Sequence, residues 1–340
     1  MASAVILAEL EHPIVLAPMA GGPSTPELTA AVAEAGGLGF IPAGYRSLDA
    51  IRSDLAALRA LSRRPFGVNL FAPPAAPGDP GEIARYAQRL QGDAERRGVA
   101  LGEPRHDDDG WQDKLALCAA ERVRLVSFTF GCPDAAVLER LRAAGCATWV
   151  TVTTAAEAVA AARAGADGLV VQGIEAGGHR GSFDPSEPGQ IGLLALLRLV
   201  RAQTDLPLVA TGGIADRDGV AAVLAAGASA AQLGTAFMLA PEAGTADAHR
   251  RALAGDAPTV LTRAFTGRPA RGIENRFIRE HEQAAPLGYP ELNHLTAPLR
   301  AAAREAGDPD GLHLWAGQAY ELTRALPAAQ LVRVLAGQAA

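Results

Sequence analysis

The stretch Leu169-Val-Val-Gln-Gly-Ile-Glu-Ala-Gly-Gly-His-Arg-Gly181 decides how this chain is read. It starts inside an apolar run of strand length, residues 168–171, and breaks at once into a glycine-rich loop carrying one histidine, His179. Glycines at 177, 178 and 181 allow left-handed backbone angles and close approach of a ligand. An imidazole on such a loop can act as acid, base or hydrogen-bond donor near neutral pH. The plainer reading is a surface turn with a solvated histidine. Position favours the first reading, because the loop follows a strand within a repeating strand–helix pattern.

Eight short apolar runs read as strands: 14–17, 38–41, 66–70, 125–129, 147–151, 168–171, 208–210 and 230–233. Most are followed by a helical stretch, at 26–35, 48–61, 134–144, 155–164, 193–204 and 217–226. Ser24 or Thr25 can cap the first of these, with Pro26 in its first turn and Gly36-Gly37 as its stop. The alternation predicts an α/β protein with a parallel sheet. Eight such units predict a closed (β/α)8 TIM barrel over an open doubly wound sheet. The rhythm breaks after the third strand. A Pro/Gly linker at 73–80, helices near 83–97 and 112–119, and a polar run at 103–110 form an insertion. Beyond the eighth strand, extended pieces are expected at 264–268 and 271–277, and helices at 295–306 and 317–326.

Composition excludes several classes. The net charge is -6 and no basic stripe is present, which argues against nucleic-acid binding. No apolar run is long enough to cross a bilayer. The first eleven residues lack the pattern of a signal peptide. Cys118, Cys132 and Cys146 are odd in number and match no metal spacing, so a reduced, cytoplasmic protein is expected. Asp107-Asp-Asp109 reads as a solvated acidic turn and not as a metal site. Aromatic residues make up 5% of the chain, and no stacking box is legible from their positions.

Barrel enzymes carry their chemistry at the carboxyl ends of the strands, and the polar and glycine features collect there. Gly212-Gly213 and Gly234-Thr235 follow the last two strands, the usual phosphate site of a barrel. The alternative is a pair of tight turns without a ligand. Asn69 and Gln172 are strand-end amides, able to donate and accept at the edge of a heterocycle. Either alone would read as an ordinary strand-end hydrogen bonder. No Gly-x-Gly-x-x-Gly stands between a strand and a helix, which argues against a Rossmann-bound dinucleotide. His12, His106, His249, His281, His294 and His313 lie away from the predicted strand-end loops and read as surface or packing residues. Cys132 reads as structural, since no neighbouring base is evident.

Several motifs together resemble the nitronate monooxygenase family, formerly called 2-nitropropane dioxygenases. They are Ala17-Pro-Met-Ala20, Phe66-Gly-Val-Asn-Leu-Phe71, Phe128-Thr-Phe-Gly-Cys-Pro133, Gln172 with Glu175-Ala-Gly-Gly-His-Arg-Gly181, Ala210-Thr-Gly-Gly-Ile214, Gln232-Leu-Gly-Thr235 and Leu314-Trp-Ala-Gly-Gln318. The resemblance spans nearly the whole chain. Glu-Ala-Gly-Gly-His alone is shared with flavin-dependent enoyl-thioester reductases and some quinone reductases. The resemblance implies an FMN-binding barrel at 1–75, 120–240 and 291–340, with a smaller inserted α/β lobe on the substrate side at 76–119 and 241–290. It implies FMN contacts at Met19, Asn69, Gln172, Gly177, Gly178, Gly213, Gln232, Gly234 and Thr235, beside the Gly212 already read as part of the phosphate turn. It places His179 beside the flavin as the catalytic residue, and Gln318 near the isoalloxazine or the substrate. No metal is implied.

The implied reaction oxidises alkyl nitronates, such as propionate-3-nitronate, with O2 to a carbonyl compound and nitrite. The partners would be the nitronate and O2, without nucleic acid or membrane, and a homodimer is left open. Two other readings stand beside it. One is an FMN-dependent NAD(P)H reductase of enoyl thioesters or quinones. The other is a non-catalytic FMN- or metabolite-binding barrel.

Overall fold

The computed structural model describes residues 2–338. Strands β1 (Ile14–Leu16), β2 (Gly39–Pro42), β3 (Phe66–Phe71), β4 (Leu125–Thr129), β5 (Ala147–Val152) and β6 (Gly168–Gln172) come first. A two-residue strand, β7 (Gly178–His179), lies outside the main sheet. Strands β8 (Leu208–Thr211) and β9 (Ala230–Leu233) complete it. All eight pair in parallel, in the order β1-β9-β8-β6-β5-β4-β3-β2. The ends meet through a bridge from Val15 to Leu38. There Leu16 N–H donates to Leu38 O at 2.8 Å, and Leu38 N–H to Ile14 O at 3.0 Å. The sheet therefore closes into the expected (β/α)8 barrel.

The strands read as continuous apolar runs because both faces are buried. Neighbouring residues alternate between two cores. Val15, Phe40, Leu125, Trp149, Val170 and Val209 pack together inside the barrel. Leu16, Ile41, Val126, Val150, Leu169 and Leu208 pack outward against the helices. A helix at Ala2–Ala8, not foreseen from the sequence, covers the amino end. It brings Ile6 into the inner core, and its Ser3 Oγ accepts a hydrogen bond from Trp149 Nε1 at 2.8 Å. Of the two candidate caps, Thr25 caps Pro26–Glu34, accepting from Leu28 N–H. Ser24 Oγ instead accepts from Met19 N–H at 3.0 Å and steadies the loop after β1.

A second core joins the insertion to the carboxyl-terminal third. Ile83, Tyr86 and Leu90 of the helix Pro80–Arg97 pack against Phe265, Phe277 and the Leu292, Leu295 and Leu299 face of the helix Glu291–Glu305. Trp111 and Leu115 of the helix Trp111–Ala120 pack into the barrel's outer core instead. Strands β10 (Thr259–Thr262) and β11 (Ala270–Ile273) run antiparallel, and β11 pairs with β7, so Ala270 stands opposite His179.

Two local expectations are corrected. Residues 264–268 form a turn between β10 and β11, not an extended piece. Residues 317–326 hold a single 3-10 turn, Tyr320–Leu322, where a helix was expected. Their approach is extended, because the backbone from Leu314 to Gln318 bonds to other segments. Leu314 O accepts from Ile273 N–H, while Ala316 N–H donates to Arg271 O and Gln318 N–H to Glu175 O. The last helix is Ala328–Leu335, whose Leu331 and Val332 pack on the barrel's outer core. Among the described residues no helix is long and apolar enough to cross a membrane.

Trp149 is the largest fully buried side chain. Trp149→Ala should cost about 3–5 kcal/mol of stability, because the inner layer cannot collapse into the space. Equilibrium denaturation measures this; a loss under about 1 kcal/mol would show that the layer is not close-packed.

Candidate functional site

The carboxyl ends of the barrel strands and the second lobe enclose a cavity. Met19, Asn69, Gln172, Gly177, Gly178, His179, Gly212, Gly213, Gln232, Gly234 and Thr235 all line it. The sequence-predicted site residues therefore converge, with one exception. Gln318 is exposed and is not among the lining residues; its backbone, not its side chain, holds the segment in place.

The His179 loop is more rigid than its glycines suggest. Only Gly178 of the three has a positive φ, at 73°. Gly177 and Gly181 serve close packing instead. A Cβ on Gly177 would stand 2.5 Å from the Ala316 carbonyl carbon, and one on Gly181 2.7 Å from Thr151 Cγ2. Gln172 clamps the loop, its Nε2 donating to His179 O at 3.1 Å and its Oε1 accepting from Gly181 N–H at 2.9 Å. The buried Arg180 guanidinium donates to the carbonyls of Gly173, Gln172 and Pro188. Glu175 accepts from Leu193 N–H and fixes the start of the next helix.

The His179 imidazole stands among Phe130, Tyr289 and Trp315, with ring centroids 5.6–5.9 Å away. Its Nε2 contacts Thr266 Oγ1 at 2.9 Å, and Nδ1 has no partner among the described residues. Burial, reinforced by the charges of Arg268 and Arg300, pulls its pKa down to about 3. The ring is therefore neutral at physiological pH. Asn69 Nδ2 donates to Ser127 Oγ and Thr129 Oγ1, which leaves its carbonyl oxygen available as an acceptor. Gln232 Oε1 is buried with no partner among the described residues. Gly212 and Gly213 both hold left-handed φ, 114° and 68°. Thr235 Oγ1 accepts from Gly317 N–H at 3.1 Å, and its own proton stays available.

Several lining residues escaped the sequence reading. His249 and His313 face this cavity and are not mere surface or packing residues. Arg300 and Arg304 reach it from the helix Glu291–Glu305. Arg268 is not among the lining residues but lies 4.1 Å over the ring of Phe130, which is. No described carboxylate forms an ion pair with any of these three arginines, and no Asp or Glu lines the cavity among the described residues. Aromatic rings are scarce in the chain but concentrated here: Tyr45, Phe71, Phe130 and Trp315 all line the wall. Arg300 and Arg304 share the i,i+4 spacing of one helix face, but the rest come from segments far apart in the chain, and no local pattern gathered them at one cavity. Cys132 is not among the lining residues, and burial raises its thiol pKa to about 11, which keeps it from forming a thiolate.

Comparison with known proteins agrees with this geometry. The nitronate monooxygenase family profile matches residues 4–338. A nitronate monooxygenase of Paraburkholderia phytofirmans is 40% identical over 339 residues, covering 96% of this chain and 92% of its own. The crystal structure of a nitroalkane oxidase from Streptomyces ansochromogenes superposes with a TM-score of 0.95 at 51% identity, covering 98% of this chain and 97% of that one. FabK from Thermotoga maritima is more distant, with a TM-score of 0.77 at 28% identity over 98% of this chain and 94% of its own. The chain belongs to the nitronate monooxygenase family of flavin-dependent oxidoreductases.

Proposed function

We propose that this protein is an FMN-dependent nitronate monooxygenase, which oxidises alkyl nitronates with O2 to a carbonyl compound and nitrite. One observation carries the reading. Two lining guanidinium groups without carboxylate partners, a third stacked on the Phe130 ring of the wall, and one neutral imidazole stand at a cavity that no described carboxylate lines. Such a cavity is positive within a chain of net charge -6. It suits a phosphate tail and an anionic substrate together, and would concentrate anions at its mouth.

The residues fit FMN. The unpartnered Gln232 Oε1 suits a donor of the cofactor. The turns at Gly212-Gly213 and Gly234-Thr235 expose backbone and hydroxyl donors for its phosphate. Met19, Asn69, Gly177 and Gly178 would line the remainder, and Gln172 would act by holding the His179 loop. Bound FMN would supply the redox chemistry. The chain's own residues bind and orient the nitronate. Neutral His179, anchored through Nε2, presents Nδ1 to the nitro group. A neutral imidazole of low basicity is a good donor to an oxyanion, and it needs no proton of its own to be displaced. Arg268 and Arg300 set the positive field around it. The aromatic wall excludes water, which strengthens each of these contacts.

The name of the Streptomyces ansochromogenes protein favours a second substrate class, the neutral nitroalkane. There Nδ1 would have to accept the α-proton, which its lowered pKa of about 3 disfavours. The enoyl-thioester or quinone reductase reading receives less support, since the more similar relatives carry nitronate and nitroalkane names.

Aerobic nitrite release from propionate-3-nitronate, without added nicotinamide, is the decisive assay. Rapid anaerobic bleaching of the flavin by NADH, with no nitrite formed, would favour the reductase. His179→Asn should retain FMN and lose about 100-fold in nitronate turnover. Full activity in that variant would remove the imidazole from the reaction. Because the His179 pKa is lowered, its neutral form persists as pH falls until about 3. The kcat/KM for a preformed nitronate should therefore show no inflection near the ordinary histidine value of about 6.5. An inflection there, absent in His179→Asn, would contradict this. Gly212→Ala places a Cβ 3.1 Å from Ala176 N at a φ that disfavours it. It should weaken FMN binding about 10-fold in a fluorescence titration; unchanged affinity would place the phosphate elsewhere.

A further inference from the structure

A second hollow adjoins the first. The acidic turn Asp107–Asp109, Lys114, Tyr289 and His294 line it, and Tyr45, Phe71 and Asn293 line both hollows. The Tyr45 ring therefore stands on the boundary between the outer hollow and the His179 cavity. Its hydroxyl meets that of Tyr289 at 3.1 Å. Neither hydroxyl has another partner among the described residues. A single contact between two hydroxyls uses one proton and leaves the other free, whichever way the pair is oriented. Burial holds the Tyr289 phenol well above its ordinary pKa. Tyr45 is more exposed, and even an ordinary phenol titrates only at about 10, so both protons are retained at neutral pH.

The insertion holds this pair in place. Tyr45 has a φ of 64°, in the left-handed region. Its N–H donates to Asp109 Oδ1 at 3.1 Å. Asp109 in turn pairs with Lys114 at 2.7 Å, and Lys114 Nζ also donates to Ala43 O at 2.9 Å. Lys114 is the only lysine in the chain and is buried. Asp109 and Phe130, the latter on the same aromatic wall, also hold positive φ, at 55° and 79°. Three of the four described non-glycine residues with positive φ are thus gathered at this boundary. Such conformations persist where surrounding contacts enforce them, and they cluster at functional sites.

We propose that the Tyr45–Tyr289 hydroxyl pair binds the substrate's nitro oxygens at the mouth of the His179 cavity, and that Asp109 is a positioning residue acting through Tyr45. This rests on the reading of the cavity as a nitronate site. It gives the 103–110 insertion a role: the insertion supplies the carboxylate that fixes Tyr45. The pair has one proton to offer, and either phenol alone still offers one. The two tyrosines are therefore redundant donors, and their removal is not additive.

The test is a mutant cycle on the FMN-loaded enzyme. Tyr45→Phe and Tyr289→Phe should each change the nitronate KM by less than about 3-fold, while the double variant should raise it about 10-fold or more with kcat held within about 2-fold. The Kd for nitrite, an inert anion with the same O–N–O group, should follow the same pattern by titration calorimetry. Asp109→Ala, acting only through Tyr45, should by itself leave KM and the nitrite Kd within about 3-fold, but in a Tyr289→Phe background it should raise both about 10-fold with kcat retained, and this pair reads the same claim if the double tyrosine variant does not fold. Additive or absent effects on KM and nitrite Kd, in a wild type that turns over nitronate, would overturn the proposal. A wild type that releases no nitrite from nitronate would instead overturn the functional reading beneath it.

Discussion

The site depends on one short pairing, Gly178–His179 of β7 against Ala270–Arg271 of β11. Those two residue pairs join the barrel to the second lobe at the His179 imidazole. On one side, Gln172 and Arg180 tie the loop back to the end of β6. On the other, β11 carries the segment from Leu314 to Gln318 across the cavity. Gly177 allows this, because any side chain there would collide with Ala316 and Gly317. A loop that would sample many conformations alone is thereby held by backbone hydrogen bonds from three directions. A reacting group needs its position set within a fraction of an ångström, and a sheet edge provides that better than a free loop.

The same pairing sets the electrostatics. Docking the second lobe brings Arg300 and Arg304 to a cavity that no described carboxylate lines, with Arg268 stacked on the Phe130 ring of its wall. Burial lowers the pKa of Arg268 and Arg300 to about 10, so both stay charged at neutral pH. Their charge adds to desolvation in keeping His179 neutral. The fixed cations attract an anion, and the uncharged imidazole beside them can donate without first losing an ion-pair partner. Placing charge and donor on separate residues keeps both unchanged across the physiological pH range.

Much of the fold was legible. The barrel strands fell within a residue or two of their predicted ends, because a strand buried on both faces is an uninterrupted apolar run. The helices Leu48–Leu61 and Ala155–Ala164 matched in full. The glycine turns after β8 and β9 and the His179 loop were legible because glycine punctuates the ends of strands and these follow strands of a regular β/α repeat. The helix Ala2–Ala8 was missed because its apolar face reports only a contact with the far end of the barrel. The segment 317–326 was misread because its alanine and leucine content favours a helix, while backbone contacts to Glu175 and Arg271 draw the chain leading into it straight.

The local sequence determined the elements, their alternation and the loop that carries the imidazole, since each of these follows from periodicity or from a backbone angle that only certain residues adopt. The tertiary structure alone decided which arginines lack partners, which histidines and aromatic rings share the cavity, and that Asp109 holds Tyr45. Those facts are distances between residues remote in the chain. They arise when two cores, each specified by its own hydrophobic pattern, dock face to face, and neither pattern encodes what then lies across the gap.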